Sequence, residues 1–131
     1  MVVEDTRTIL VADDDEAFTV VVEMLLSVDG YEVAKAVDGR EALAWLKDHT
    51  PDLAILDVAM PHLDGIEVCS RMKRVRRLKD VPVIILTGLR DAATRASARN
   101  AKADALVIKP LEGKDFRALV QRVLAGERQV I

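Results

Sequence analysis

Four short aliphatic runs in this chain end on residues that can do chemistry: "ILVA" leads into Asp13 and Asp14, "LAIL" into Asp57, "VIIL" into Thr87 and "ALVI" into Lys109. Adjacent carboxylates at the end of a buried run repel one another and are costly to desolvate, so packing alone gives no reason for them. Three carboxylates within a few ångströms of each other either share protons or bind a cation. An all-oxygen ligand set with no cysteine nearby favours a hard ion. Mg²⁺, which keeps waters and takes one or two carboxylates plus a phosphate, fits best. The three acids are balanced by one Mg²⁺ and Lys109, the neutralisation a carboxylate needs before it can attack a phosphoryl group. Asp57 is the candidate nucleophile, forming an aspartyl phosphate. Mg²⁺, Lys109 and the Thr87 hydroxyl would stabilise the equatorial oxygens of an in-line transfer.

These residues meet only if the elements behind them are arranged to bring them together. Short β-rich runs alternate with longer segments of helical spacing, which argues for βαβ units and a parallel sheet. The expected strands are Thr8 to Ala12, Glu32 to Ala36, Leu53 to Leu56, Val83 to Leu86 and Ala105 to Ile108. Four of the five are nearly continuous apolar runs, as in strands covered on both faces. The fold class is therefore α/β, a doubly wound five-stranded parallel sheet. All strand carboxyl ends then share one edge, and with strand order 2-1-3-4-5 the first and third strands are neighbours at the topological switch point. That places Asp13, Asp14 and Asp57 together.

The expected helices have less regular patterns. Ala17, Val21, Met24, Leu25 and Val28 predict the inner face of the first helix. The second runs from Gly39 to His49, stopped by Thr50-Pro51, and the third from about Gly65 to Leu78. The fourth, from about Asp91 to Asn100, is rich in Ala and Arg and buries little per residue. The fifth, from about Gly113 to Ala125, carries Phe116, Leu119, Val120, Val123 and Leu124 as an apolar stripe, with Gly126 suited to its end. Met24, Met60, Met72 and Trp45 are expected to pack in or near the core.

With 131 residues, half of them apolar, the chain is long enough for one sizeable core and too short for two ordinary domains, which reads as a single globular domain. A net charge of -3 provides no global field for nucleic acid or anionic membrane. A single cysteine, the absence of a signal pattern in residues 1–10 and the lack of any membrane-length apolar run make the cytoplasm the expected compartment. The run Arg71 to Lys79 holds six basic residues in nine. Without interleaved aromatics it reads as the solvated face and exit of the third helix rather than a nucleic-acid site.

"ILVADDDE", "PDLAILDVAMPHLDG", "VPVIILTG" and "ADALVIKP", in this order and spacing, resemble the receiver domain of two-component response regulators. The resemblance covers about residues 7–125 and implies a flavodoxin-like, CheY-like three-layer sandwich. The whole chain, 1–131, would be one receiver domain, with 126–131 a tail or the start of a linker. It further implies that Asp57 accepts a phosphoryl group from a histidine kinase, a histidine phosphotransfer protein or a small phosphodonor. Asp14 would bind Mg²⁺ directly and Asp13 through water, with the backbone carbonyl of Ala59 completing the ligands. Thr87 would move towards the phosphoryl group, Lys109 would pair with it, and the Lys109-Pro110 bond would be cis.

The signal would leave through the face of the fourth helix, fifth strand and fifth helix, towards an output domain or downstream target protein. No direct nucleic-acid or membrane contact is expected, and homodimerisation is left open. The chain would be a phosphoacceptor with self-dephosphorylation rather than an enzyme. Two positions depart from the family pattern: Leu106 replaces the usual aromatic three residues before the lysine, and Gly88 follows Thr87. A phosphorylation-independent docking module is the alternative. A haloacid-dehalogenase-like phosphatase wants a second acid where Ala59 stands, and a nucleotide-binding flavodoxin-like protein is poorly supported because no Gly-rich phosphate loop follows the first strand.

The bland readings hold for the remaining candidates. Asp15 and Glu16 open a helix, where acids cap free N–H groups. Asp64 caps the third helix and Gly65 supplies backbone freedom to the turn before it. His62 is a solvated loop residue, and His49 has no evident partner.

Overall fold

The computed structural model describes residues 6–131; residues 1–5, part of the stretch without a signal pattern, lie outside the described residues. The order is β1 (Thr8–Ala12), α1 (Glu16–Val28), β2 (Glu32–Ala36), α2 (Gly39–Asp48), β3 (Leu53–Asp57), α3 (Gly65–Lys73), β4 (Val83–Thr87), α4 (Ala92–Asn100), β5 (Ala105–Ile108) and α5 (Gly113–Leu124). The strands form one parallel sheet in the order β2-β1-β3-β4-β5. The doubly wound α/β fold is as expected, with β3 and β4 each one residue longer so that Asp57 and Thr87 belong to their strands.

Strand residues alternate between two cores because successive side chains point to opposite faces. Leu10, Ala54, Leu56, Val83 and Ile85 pack towards α2 and α3, against Leu46, Val68 and Met72. Ile9, Val11, Ile55, Ile84 and Leu86 pack towards α1 and α5, against Val22, Leu26, Phe116 and Val120. Every helix opens on an acid whose side chain accepts a backbone N–H of the first turn: Asp15, Asp38, Asp64, Asp91 and Glu112. Each such cap stabilises its helix by about 1 kcal/mol. The expected capping roles of Asp15 and Asp64 are therefore met.

The phase of α1 corrects the expectation. Val21, Met24 and Val28 are 51%, 66% and 67% exposed, while Thr19, Val22 and Leu26 face the core. From Phe18 to Leu26 this helix is apolar almost all round, so its periodicity cannot select a face. Thr19 is buried without penalty because its hydroxyl donates to the Asp15 carbonyl at 3.1 Å. Met24 is thus a surface residue, whereas Met60 and Met72 are buried as expected.

The third helix also differs, ending at Lys73 rather than near Leu78. A turn follows, in which Leu78 and Lys79 N–H groups donate to the Val75 carbonyl, and it returns Leu78 to the core. Within the basic run, Lys73 points inward, its ammonium 2.8 Å from the Val81 carbonyl and 3.1 Å from Asp104. Arg77 reaches back to cap the end of α2 through the carbonyls of Leu46, Lys47 and His49. The remaining basic residues of the run are exposed, as expected. Trp45 is half-buried beside the α2–α3 core and stacks on His49, with ring centroids 4.4 Å apart, so that histidine does have a partner.

Residues 127–131 fold back along β5. Gly126, at φ 99°, turns the chain out of α5, and its N–H and that of Glu127 close the helix on the carbonyls of Val123 and Arg122. Gln129 then pairs with the strand edge, its N–H donating to Asp104 and its side-chain oxygen accepting the Leu106 N–H, both at 2.8 Å.

Candidate functional site

The carboxyl edge of the sheet gathers the residues that the strand ends predict. β1 and β3 are adjacent, and Asp13 and Asp57 stand at or just beyond their ends, buried to 1% and 4% exposure. Asp14 is exposed. Asp13, Asp14 and Asp57 each offer a carboxylate oxygen, and these atoms all lie within 4.8 Å of one another.

Lys109, one residue beyond β5, reaches across the edge. Its ammonium is 2.9 Å from Asp13 Oδ2 and 3.0 Å from Asp57 Oδ1. The Lys109-Pro110 bond is cis, as the resemblance implies. The other oxygen of Asp13 accepts the Asp15 N–H at 2.9 Å. The acidic run thus divides: Asp13 and Asp14 face the site, while Asp15 caps α1.

Burial pushes the Asp57 carboxyl above the usual carboxylate range; the nearby charges of Asp13 and Asp14 add to this, and the bond from Lys109 only partly offsets it. Burial works against the Lys109 charge too, but its hydrogen bonds to Asp13 and Asp57 outweigh that and raise its pKa. One lysine against three carboxylates leaves a local deficit of positive charge.

Thr87 is at the same edge, buried, and its backbone carbonyl accepts the Lys109 N–H at 2.8 Å. Its hydroxyl oxygen accepts the Leu89 N–H at 3.0 Å, tying it to the loop before α4 rather than to the acids. Ala59 is exposed in the loop after β3, and its carbonyl takes no hydrogen bond among the described residues. His62, at φ 70°, pairs with Arg40 at 3.1 Å and does not join the acids.

Gly65 has a different role from the expected one. Its φ is not left-handed; instead, a Cβ there would collide with the backbone carbonyl of Asp57, so α3 can start against the site only with glycine. Phe18 is the site residue that the motifs miss. Its ring lies on the first turn of α1 with the Lys109 ammonium 4.1 Å from its centroid. An aromatic three residues past a cap is the sole trace it leaves in the sequence.

Three carboxylates, one lysine and a buried hydroxyl on a sheet edge can hold a divalent cation and present one acid to an electrophile. The sequence model of the response regulator receiver domain family matches residues 9–121. The transcriptional regulatory protein AfsQ1 of Streptomyces coelicolor is 37% identical over 123 residues, 93% of this chain and 53% of its own length. The ycf27 protein of Cyanophora paradoxa is 41% identical over 118 residues, 90% and 48% of the two lengths. The chain thus spans about half the length of these curated relatives.

Among solved structures, the signal receiver domain of a histidine kinase from Syntrophus aciditrophicus superposes with a TM-score of 0.87, at 31% identity over 96% of each chain. A CheY-like receiver domain protein of Methanospirillum hungatei gives 0.87 at 28% identity, covering 93% of this chain and 96% of that one.

Proposed function

Because the chain belongs to the response regulator receiver domain family of two-component systems, we propose that Asp57 accepts a phosphoryl group from a histidine kinase or histidine phosphotransfer protein. The observation that carries this reading is the Lys109 ammonium bridging Asp57 and Asp13 inside a cluster of three carboxylates.

The donor set fits a hard cation: acid oxygens from Asp13, Asp14 and Asp57, with the Ala59 carbonyl free to add a fourth. Bound there, Mg²⁺ would neutralise charge on the incoming phosphoryl oxygens. An oxygen of Asp57 attacks phosphorus in line, the phosphorus–nitrogen bond of the phosphohistidine breaks, and its electron pair leaves with the imidazole. Lys109, already 3.0 Å from Asp57 Oδ1, faces the charge gathered on the transferred group. Thr87 can add its hydroxyl by releasing the Leu89 N–H, which couples the site to the loop leading into α4. With Leu106 on β5, that loop and the shared backbone bond between Thr87 and Lys109 carry the signal to the α4–β5–α5 face.

The protein is then a phosphoacceptor that loses its phosphoryl group to water, not an enzyme acting on a separate substrate. It works in the cytoplasm and hands its state to an output domain or target protein, touching neither nucleic acid nor membrane itself. No described helix is long and apolar enough to cross a membrane.

Incubation with acetyl phosphate and Mg²⁺ followed by intact mass measurement tests the reading. One phosphate adduct is expected in the wild type and none in Asp57→Ala; no wild-type adduct, or an undiminished one in the variant, would sink it. Partner binding that is identical with and without beryllofluoride would favour a static docking module instead.

A further inference from the structure

Lys109 has three anchors, and they are unequal. Two are carboxylates, Asp13 at 2.9 Å and Asp57 at 3.0 Å; the third is the ring of Phe18, 4.1 Å from ammonium to centroid. A cation drawn to the three acids would share the Asp13 carboxylate with the ammonium and weaken its hold on Lys109. The lysine then depends more on Asp57 and the ring.

The ring is well placed to hold it. Phe18 sits in the first turn of α1, its backbone N–H bonded to the Asp15 cap, and its side chain packs against the core formed by β1, β3, β4 and α5. A face-on aromatic attracts an ammonium without offering a proton acceptor, so it holds the charge in place without competing with the reacting carboxylate for a hydrogen bond. A leucine or methionine would fill the space but lacks the ring quadrupole.

We propose that Phe18 is a positioning residue for phosphorylation of Asp57, holding the Lys109 ammonium beside the acceptor oxygen while Asp13 is engaged by the cation. This rests on the assignment of Asp57 as phosphoacceptor and adds a specific residue to it. Loss of the ring face slows phosphate uptake about three- to tenfold, the range of a partly desolvated cation–π contact.

The test is the rate of phosphate uptake from acetyl phosphate at saturating Mg²⁺ in the full chain, for wild type, Phe18→Met, Phe18→Leu and Phe18→Tyr. Each is measured alone and on a Lys109→Met background. The Met and Leu variants are expected to be slow, Tyr to restore the rate, and none of them to change the rate once Lys109 is gone. A second readout needs no phosphorylation: the Lys109 ε-methylene protons, shifted upfield by the ring in NMR spectra, should lose that shift in Phe18→Met and keep it in Phe18→Tyr.

A Phe18→Met rate equal to wild type, or a slowing that persists undiminished without Lys109, overturns the proposal while leaving Asp57 as acceptor. A wild type that takes up no phosphate overturns the Asp57 assignment, and this role with it. Should Phe18→Leu fold poorly, the Met and Tyr pair alone decides the matter.

Discussion

Two lysine–aspartate clusters bracket β5, and they behave oppositely. Beyond its carboxyl end, Lys109 faces Asp13 and Asp57 with Asp14 nearby: one cation for three acids. Before its amino end, Asp104 accepts from Lys73 at 3.1 Å, from Arg128 at 3.0 Å and from the Val83 N–H at 2.8 Å: two cations for one acid. Lys73 and Asp104 are 11% and 10% exposed, and they tie α3, β4, β5 and the C-terminal segment together. The residue types and the depth are alike, so neither makes a site. What distinguishes the carboxyl edge is its unpaid negative charge, which adds to the effect of burial in raising the Asp57 pKa and leaves room for a cation. The amino edge is a clasp whose one acid is fully compensated by two cations.

The comparison breaks most sharply at Asp104. Replacing it with Ala leaves the buried Lys73 without its acid and should cost about 3–5 kcal/mol in urea unfolding. If the loss is under about 1 kcal/mol, the clasp is not structural.

Gly65→Ala comes next, because the added methyl must displace the Asp57 carbonyl or the start of α3. A loss of about 1–3 kcal/mol is expected, together with slower phosphate uptake. An unchanged midpoint and rate would show that the site tolerates the shift.

Mg²⁺ should sharpen the contrast by stabilising one cluster only. At a tenfold excess over its dissociation constant the gain is about 1.4 kcal/mol. It should vanish in Asp13→Asn and persist in Arg128→Ala.

The smallest effect is in pH, measured in chelator. The folded-state pKa of Asp57 lies above its unfolded value, so between the two the native state binds more protons. Stability therefore falls as pH rises from the ordinary carboxylate value through the raised one. Asp57→Asn should remove that slope and raise stability at neutral pH. A slope unchanged by the substitution would move the effect to another group.

Much of the site was legible because it lies at strand ends, where a buried aliphatic run stops on a polar residue. Asp13, Asp57, Thr87 and Lys109 all carry that local signal, and once β1 and β3 are neighbours their convergence follows. Asp14 differs only in being the second acid of its pair. The clasp was not legible: Lys73 lies inside a basic run that reads as solvated, and Asp104 is 31 residues away. The face of α1 is hidden for another reason: Val20, Val21, Val22, Met24, Leu25 and Leu26 surround most of the helix, and its polar row of Thr19, Glu23 and Ser27 begins with a residue that faces the core.

The amino-acid sequence by itself determined the five βα units, the acid caps of α1 and α3, and the sheet edge on which Asp13, Asp14, Asp57, Thr87 and Lys109 collect. These follow from local patterns: apolar runs, cap residues and the polarity that ends each strand. Tertiary structure alone decided which face of α1 turns inward, that Gly65 must clear the Asp57 carbonyl, that Phe18 lies under Lys109, and that Lys73 pairs with Asp104. Each is a contact between residues distant in sequence or a choice among locally equivalent faces, and its energy exists only once the sheet has brought the partners together.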